Sequence, residues 1–266
     1  MPEHLLTFVH ITDTHIPTDA QTTLTDVDIP PYEGALRLVE AVNALPITPD
    51  FVLHTGDVAY NPEPNAYENP REILGRLRFP VYYVSGNHDG SMDLQRAMLS
   101  SDEPMPQLHY TFEHSGVQFA IVDSNGPAEP PRGYLTESQL EFLQGICNAD
   151  DPRPLVIATH HNPVKVGIPW MDEFMGMQNG ELFHQAILPA RDRLRGVFFG
   201  HVHQDLTIYR DGILYCSTVS SWRQLHAWPG QEGTVEDQGA EPGFSVVTIS
   251  RDQTFIRRHR YNFAGQ

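Results

Sequence analysis

The 266-residue sequence has few cysteines, few basic residues and no long apolar run, and each shortage excludes a class of protein. Two cysteines, Cys147 and Cys216, are too few for a disulfide framework, so we expect a reduced, cytoplasmic protein. No stretch approaches the roughly 20 apolar residues of a membrane-spanning helix, and no membrane partner is expected. The start, Met1-Pro2-Glu3-His4, lacks the basic region and the apolar core of a signal peptide.

Basic residues are scarce relative to acidic ones. The chain has 17 Lys and Arg against 34 Asp and Glu, for a net charge of −17. A nucleic-acid polymer requires basic patches, and the short cluster Arg257-Arg258-His259-Arg260 is expected to be the solvated end of a C-terminal strand. We therefore predict no nucleic-acid partner. Histidine is abundant instead, with 14 residues, and it is the commonest metal ligand.

Metal-binding residue types follow five short apolar runs that have the composition of β-strands. The runs are Leu6–Ile11, Phe51–Leu53, Val81–Val84, Leu155–Ala158 and Val197–Phe199. They are followed by Asp13 and His15, by Asp57, by Asn87 and His88, by His160, and by His201 and His203. Open α/β sheets bind ligands at the C-terminal edge of their strands, so these side chains should meet. Turns also favour Gly, Asn and Asp, but five such strand ends together predict a metal site.

The candidate ligands are carboxylates, an amide and imidazoles, with no thiolate. This set excludes a structural zinc site of the cysteine type and favours Zn, Mn, Fe or Co in a catalytic role. Even without His88, the seven remaining candidates exceed the three or four ligands that one tetrahedral ion takes. We therefore expect two divalent ions about 3.5–4 Å apart that share a carboxylate. Asp13 and His15 stand two apart, as do His201 and His203. An extended backbone would therefore point both side chains of each pair the same way.

The order of the predicted elements indicates one α/β domain over residues 1–266. A repeated strand-loop-helix pattern predicts parallel strands, with helices over 33–45, 66–77, 92–99, 136–147 and 180–188. Residues 17–32 and 164–180 read as irregular, and the first of these loops could border the site. Residues 205–266 read as mostly β-strands. Two packed sheets flanked by helices accommodate this pattern.

The motifs resemble those of a known family. In order they are Asp13-x-His15, Gly56-Asp57, Gly86-Asn87-His88-Asp89, His160-His161-x-Pro163 and Gly200-His201-x-His203. Together they resemble the calcineurin-like metallophosphoesterases, and within them the bacterial class III cyclic-nucleotide and glycerophosphodiester phosphodiesterases. The resemblance spans residues 13–203. It implies a four-layer αββα sandwich, in which two mixed β-sheets are flanked by helices.

The resemblance also implies a role for each motif residue. One metal would be held by Asp13, His15 and His203, and the other by Asn87, His160 and His201, with Asp57 bridging the two ions. His88 would contact the phosphoryl group and protonate the leaving oxygen, while Asp89 would hold His88 in place. The implied reaction is the hydrolysis of a small phosphodiester by a metal-bound hydroxide. Two divalent ions, two aspartates and a hydroxide leave a local charge of about +1, which suits a singly charged diester.

Several positions leave the site prediction open. Asn162 stands where the family often has a second proline, so His161 is an alternative to His160 as ligand. Tyr60 lies three residues after Asp57, where purple acid phosphatases carry a metal-binding tyrosine; we expect it to be redundant here. His54 is expected to be a hydrogen-bonded core histidine. The substrate could be contacted by Trp222, Arg223 and His226.

The function prediction has two alternatives. A phosphomonoesterase of the same fold is the nearer one, and a non-catalytic scaffold that binds partner proteins is the other. The sequence does not specify whether the diester is a cyclic nucleotide, a glycerophosphodiester or another. It does not specify the metal either. A homo-oligomer is compatible with the sequence, since residues 164–180 and the C-terminal strands could bury an interface.

Overall fold

The computed structural model describes residues 4–23 and 29–262, which form eleven strands and six α-helices. The strands are β1 (His4–Ile11), β2 (Phe51–His54), β3 (Val81–Tyr83), β4 (His109–His114), β5 (Val117–Val122), β6 (Leu155–Ala158), β7 (Leu194–Phe199), β8 (Thr207–Arg210), β9 (Ile213–Ser217), β10 (Gly243–Ser250) and β11 (Thr254–Arg260). The helices are α1 (Pro31–Asn43), α2 (Glu68–Leu74), α3 (Ser91–Met98), α4 (Glu137–Cys147), α5 (Pro169–Phe174) and α6 (Gly180–Ile187).

The strands form two mixed sheets, as predicted. The first has the order β11-β10-β1-β2-β3, and the second has the order β4-β5-β6-β7-β9-β8. In the first sheet β1, β2 and β3 run parallel, and β10 and β11 are added antiparallel. In the second, β5, β6, β7 and β9 run parallel between two antiparallel edge strands. Each sheet therefore presents the C-terminal ends of several parallel strands along one edge.

The two sheets pack face to face through a core of aromatic rings. Phe8 stacks on Phe51 at 5.3 Å between ring centroids and meets Phe119 and Phe198 of the second sheet edge-on at 5.9 and 5.3 Å. On β1, Leu6 and Phe8 belong to this inter-sheet core, whereas Val9 and Ile11 belong to the core under the helices. This alternation is the period of two expected of a strand that is covered on both faces.

The helices form the two outer layers. The buried face of α1 carries Ala35, Leu38, Val39 and Val42, which share a core with β1, β2 and β10 of the first sheet. Leu143 of α4 and Phe183 of α6 belong to the core on the outer face of the second sheet. Three separate apolar cores between four layers confirm the predicted αββα sandwich.

Two local predictions differ from the structure. The predicted helix 66–77 is shorter and spans Glu68–Leu74, and the irregular stretch 164–180 contains α5. Of the loop 17–32, residues 24–28 lie outside the described part of the chain. The basic cluster lies at the end of β11 as expected, where the side chains of Arg258 and Arg260 form ion pairs with Asp205.

Two expectations from composition can be compared with the structure. Cys147 and Cys216 are both buried and neither forms a disulfide. Among the helices in residues 4–23 and 29–262, none has the length and apolar character needed to cross a membrane.

Candidate metal centre

All seven predicted ligands lie together where strand ends of the two sheets meet. Four follow β1, β2 and β3 of the first sheet, and three follow β6 and β7 of the second. All are buried except Asn87, which is half-buried. Six of them form two groups, each with its donor atoms within 4.8 Å of one another, and the Asn87 Oδ1 atom lies 3.1 Å from His160 Nε2 of the second group. The strand ends therefore converge as the sequence predicted.

The first group contains Asp13, His15 and His203. The Nε2 atoms of the two histidines lie 3.2 Å apart, and the Asp13 Oδ1 atom lies 3.4 Å from His203 Nε2 and 3.8 Å from His15 Nε2. The Nδ1–H of His203 donates to the backbone carbonyl of Arg223 at 2.8 Å, so its Nε2 lone pair faces the group. Two imidazole nitrogens and a carboxylate that face one another in a buried site fit a divalent cation.

The second group contains Asp57, His160 and His201, with Asn87 beside them. The Nε2 atom of His160 lies 3.3 Å from Asp57 Oδ2 and 3.1 Å from Asn87 Oδ1. His160 donates its Nδ1–H to the Thr55 carbonyl at 2.8 Å, whereas His201 uses Nε2 on the Met175 carbonyl at 3.1 Å. Each ring thus has one nitrogen fixed by a backbone acceptor and the other free to bind a metal.

Asp57 belongs to the second group and also lies close to His15 of the first group. Its Oδ2 atom lies 3.5 Å from His15 Nε2 and 3.3 Å from His160 Nε2, and its Oδ1 atom accepts from the His88 backbone N–H at 2.8 Å. A carboxylate in this position matches the shared ligand that the ligand count predicted. The donor set of this chain therefore fits two ions.

Five of the seven ligands adopt the left-handed backbone conformation. Their φ angles are Asp13 51°, His15 44°, Asp57 54°, His201 69° and His203 48°. Such values are rare outside glycine and concentrate at functional sites. The expectation of an extended backbone here was therefore wrong. Asp13 and His15 do meet, but His201 and His203 diverge into different groups.

Glycines next to the ligands allow very close approach of neighbouring chain segments. A Cβ atom on Gly200 would collide with Thr12 Oγ1 and lie 2.8 Å from Asp13 Oδ2. A Cβ on Gly86 would collide with the Asp57 carboxylate and backbone nitrogen. Only glycine fits at these two positions.

The electrostatics of the site favour an ionised Asp57 and neutral His15 and His201, which are the states in which these groups bind metals. Burial would raise the pKa of Asp57, but the nearby histidines, His160 foremost, outweigh it and hold the pKa well below its usual value. Burial likewise opposes protonation of His15 and His201, and it lowers the pKa of His201 to about 3. The pKa of His160 is raised to about 9, because the attraction of Asp57 outweighs burial. Metal binding by His160 would release this proton, because a ligating imidazole is neutral.

His88 lies beside the first group and faces the cleft. Its Nδ1–H donates to the Tyr60 carbonyl at 2.6 Å, and its ring meets that of His15 edge-on at 4.7 Å. His88, His15 and Asp57 also have donor atoms within 4.8 Å of one another. The Nε2 edge of His88 is therefore the one available for a substrate.

Asp89 does not hold His88, which corrects the prediction. Its Oδ1 atom accepts from Ala59 N at 3.0 Å and from Tyr67 Oη at 3.1 Å, and its Oδ2 atom accepts from Val58 N at 3.1 Å and Gly86 N at 2.9 Å. The side chain turns into the protein because these four donors converge there. Burial, and then repulsion from Asp57, raise the pKa of Asp89 to about 6.

Two other histidines are placed as the sequence led us to expect. His161, the alternative ligand, belongs to neither of the two groups, and its Nδ1 shares a 2.7 Å hydrogen bond with Ser124 Oγ. His54 is buried and donates from Nε2 to Thr14 Oγ1 at 3.0 Å, since that hydroxyl donates to the Val58 carbonyl. His54 therefore has the contacts expected of a core histidine, whereas His161 stays an alternative ligand that lies outside the two groups.

A cleft of about 240 Å³ opens over the two groups. Trp222 and Arg223 line it, as does Tyr60, whose ring packs on His88 at 5.9 Å between centroids. His226 is absent from the described lining of this cleft and lies 3.5 Å from the carboxylate of Asp237. The lining residues that sequence reasoning did not single out are Pro131, Leu225 and Thr234.

Sequence reasoning also missed Asn125. Its Nδ2 donates to the Gly86 carbonyl at 2.7 Å and to Ser85 Oγ at 3.2 Å, and it thereby supports the loop that carries Asn87. The signal was present, because Asn125 follows the end of β5 as the ligands follow the ends of other strands.

The fold and the two groups of ligands define a phosphoesterase of the dimetal class. The chain belongs to the calcineurin-like phosphoesterase family, whose model matches residues 6–205. It is 25% identical over 253 residues to a 3′,5′-cyclic-nucleotide phosphodiesterase of Nostoc sp. (strain PCC 7120), covering 95% of this chain and 91% of the relative. It is 27% identical over 219 residues to a probable glycerophosphodiester phosphodiesterase of Arcobacter nitrofigilis, covering 82% of this chain and 79% of the relative.

A solved structure shares the architecture. The dimetal phosphatase from Danio rerio superposes with a TM-score of 0.65 at 12% identity, over 96% of this chain and 99% of that one. At this identity the likeness concerns the fold alone.

Proposed function

We propose that the protein is a binuclear metal-dependent phosphodiesterase that hydrolyses small phosphodiesters. The observation that carries this proposal is the position of Asp57 between two groups of inward-facing ligand atoms. The named activities of the relatives from Nostoc and Arcobacter support a diester as substrate. A cyclic nucleotide and a glycerophosphodiester are the two substrate classes to compare.

The residues divide into those that hold the ions and one that faces the substrate. Asp13, His15 and His203 would hold one ion, and Asn87, His160 and His201 the other, with Asp57 shared. Two divalent ions, chosen from Mn, Fe, Zn and Co, would polarise the phosphoryl oxygens and activate a water molecule. Phosphoryl transfer then leaves the protein mainly the tasks of positioning and charge stabilisation.

His88 is the group proposed to handle the proton of the leaving oxygen. The Tyr60 carbonyl fixes its Nδ1–H, so an imidazolium at this position would present Nε2–H toward the cleft. Donation of that proton to the departing alkoxide would neutralise it. The backbone N–H of His88 also donates to Asp57, which ties the acid to the shared ligand.

The test is the hydrolysis of bis(p-nitrophenyl) phosphate with defined metals. We expect activity to require added Mn, Co, Zn or Fe. Asn87→Ala should lower metal occupancy and activity together, because it removes a ligand. His88→Ala should keep both metals and lose rate by about 10²–10⁴-fold, the usual contribution of a general acid. Metal content is measured by elemental analysis of the same samples.

A matched control is His226→Ala, since His226 is an imidazole outside the cleft and should leave both metal content and rate unchanged. Full activity under strong chelation would contradict the proposal. A higher turnover of p-nitrophenyl phosphate than of the diester would favour the phosphomonoesterase. A metal content near zero after purification with metal supplied would favour the scaffold.

A further inference from the structure

Arg223 is the only arginine or lysine among the described residues that line the cleft. The rest of the lining is imidazole, carboxylate, amide, hydroxyl and apolar groups. In a chain with a net charge of −17, a permanent cation over the candidate metal centre is a specific feature rather than part of a basic surface. An arginine at such a position presents fixed N–H donors that match phosphate oxygens.

The backbone of Arg223 is fixed to the candidate metal centre. Its carbonyl accepts the Nδ1–H of His203, one of the proposed ligands, at 2.8 Å. Nearby, the Ser220 hydroxyl donates to the Asp13 carbonyl at 2.7 Å. The Gln224 side chain closes the turn through bonds of 3.0 and 2.8 Å to the Ser220 N–H and carbonyl. The arginine therefore has a defined position relative to both proposed ligands.

The guanidinium is also held from its far side. Its Nη2 atom lies 3.0 Å from Glu236 Oε1, and its Cζ atom lies 5.9 Å from the Trp222 ring centroid. The side chain remains 26% exposed. Its Nε–H is buried with no acceptor among the described residues. A buried donor without an acceptor is costly, and a shift of the guanidinium toward an anion in the cleft would give this N–H an acceptor.

We propose that Arg223 binds a non-bridging oxygen of the substrate phosphodiester and that Glu236 positions it there. This inference rests on the proposed function, which identifies the substrate as a phosphodiester. Glu236 offsets the charge of Arg223, so the pair offers directed donors with little net charge. A monoanionic diester gains the hydrogen bonds, whereas a dianionic monoester is repelled by the nearby carboxylate. Arg223 and Glu236 thus set the preference for diesters over monoesters.

The test compares Arg223→Gln, Arg223→Lys and Glu236→Gln in the metal-loaded protein. For bis(p-nitrophenyl) phosphate we expect Arg223→Gln to lower kcat/KM about 10- to 100-fold, the loss of a charge-assisted hydrogen bond, mainly through KM. Arg223→Lys should recover part of the loss. Glu236→Gln should raise turnover of p-nitrophenyl phosphate relative to the diester several-fold, because the unpaired cation now favours a dianion.

Two further measurements separate this role from a structural one. Inorganic phosphate binding, measured by calorimetry, should weaken about tenfold or more in Arg223→Gln and tighten in Glu236→Gln, with metal content unchanged in both. Arg210→Gln is the matched control, because Arg210 forms a comparable pair with Glu181 at 2.8 Å outside the cleft. That variant should behave as the wild type in every assay.

The outcomes distinguish the two proposals. One outcome is that the wild type hydrolyses diesters while Arg223→Gln has the same KM and the same phosphate affinity. In that case the role proposed for Arg223 is wrong and the proposed function stands. If the wild type hydrolyses no phosphodiester but binds phosphate through Arg223, the proposed function is wrong and the anion contact stands. Loss of bound metal in Arg223→Gln would also overturn the substrate role, since Arg223 would then act through His203.

Discussion

At the scale of single residues, the Asp89 carboxylate organises the loops that carry the candidate ligands. Its two oxygens accept backbone N–H groups from the loop after β2 and from the loop after β3. These loops carry Asp57 and Asn87. Each oxygen accepts two hydrogen bonds, so the loss of an acceptor at either oxygen would leave a buried donor unpaired. Asp89 therefore contributes by fixing the ligand loops and not by orienting His88.

This assignment predicts that Asp89→Asn mainly lowers stability. An amide places its NH₂ group against at least one backbone N–H in either orientation, and an unsatisfied buried donor costs about 1–3 kcal/mol. We expect a loss of about 2–4 kcal/mol in the free energy of unfolding, measured by urea denaturation of the metal-free protein. Tyr67→Phe is the matched control. It removes one of the four donors and should cost only about 1 kcal/mol.

The original prediction for Asp89 leads to the opposite result. If Asp89 oriented His88, Asp89→Asn would keep its stability, and its kcat would fall by a factor close to that of His88→Ala. The sequence suggested that role because the two residues are adjacent in the chain. Adjacent side chains after a strand can point in different directions, and the four donors around Asp89 come from residues 58, 59, 67 and 86.

The convergence of the candidate ligands was predictable because each strand end is marked in the sequence. Apolar runs of β-forming residues stop at Asp, Asn or His, and parallel strands end at one edge of a sheet. Contacts made by the backbone carry no such mark. Nothing in the sequence indicates that the carbonyls of Tyr60 and Arg223 fix His88 and His203.

At the scale of secondary structure, the turns after the strands contribute as much to the geometry of the candidate metal centre as the strands themselves. The five ligands with positive φ lie directly after β1, β2 and β7, where the chain packs against its neighbours. The glycines at positions 86 and 200 allow that packing. The geometry of the candidate ligands therefore depends on strained turns. The alternation of side chains along an extended strand does not describe such turns.

We predict that Gly200→Ala weakens metal binding at one of the two groups of candidate ligands. The new Cβ would collide with Thr12 Oγ1 and crowd the Asp13 carboxylate, which accepts the His201 backbone N–H at 2.9 Å. We expect occupancy by elemental analysis to fall by about one ion per chain, since Asp13 belongs to one group of ligands. Gly145→Ala in α4 is the control, because a Cβ there meets nothing within 4 Å.

Gly145→Ala should keep both ions and gain about 0.5–1 kcal/mol of stability from its higher helix propensity. Full metal occupancy in Gly200→Ala would show that the turn after β7 can shift without loss. Equal losses in both variants would point to a general packing defect instead.

The helix α5 shows why some elements were not predictable. It has six residues, which is too short for a helical period to stand out from the irregular stretch around it. Its position is set by contacts from outside the helix. Asp172 accepts the Val166 and Gly167 N–H groups at 2.6 and 3.1 Å, and Arg132 donates to the Glu173 carbonyl at 2.9 Å. Phe174 and Met175 are placed at the cleft by these contacts.

At the scale of the whole molecule, the candidate metal centre joins the two sheets. The ligands at positions 13, 15, 57 and 87 follow the first sheet, and those at positions 160, 201 and 203 follow the second. The same two sheets share the aromatic core between them. The sequence indicated both features, because its apolar runs form that core and their ends supply the ligands. Metal binding and folding should therefore be coupled across the whole chain.

Metal removal is accordingly expected to lower the stability of the whole protein. A ligand at 100 times its dissociation constant stabilises the folded state by about 2.7 kcal/mol, and two ions contribute more. In a chain of this size 1 kcal/mol corresponds to about 2–4 °C, so strong chelation should lower Tm by about 10 °C. Because the inter-sheet core is shared, we expect the chelated protein to unfold in one transition, as a single domain. Circular dichroism during thermal unfolding measures both quantities.

Asn87→Ala provides the internal comparison for this coupling. With one ligand removed, its Tm should rise less with added metal than that of the wild type, while its Tm under chelation should be close to the wild-type value. That pattern separates a loss of metal affinity from a loss of intrinsic stability, because Asn87 is half-buried and belongs to none of the apolar cores. A wild-type Tm that does not respond to chelation, in protein shown to have lost its ions, would contradict the coupling. Two separate transitions under chelation would mean that the two sheets unfold independently. The metal ions, rather than the shared core, would then make their unfolding cooperative.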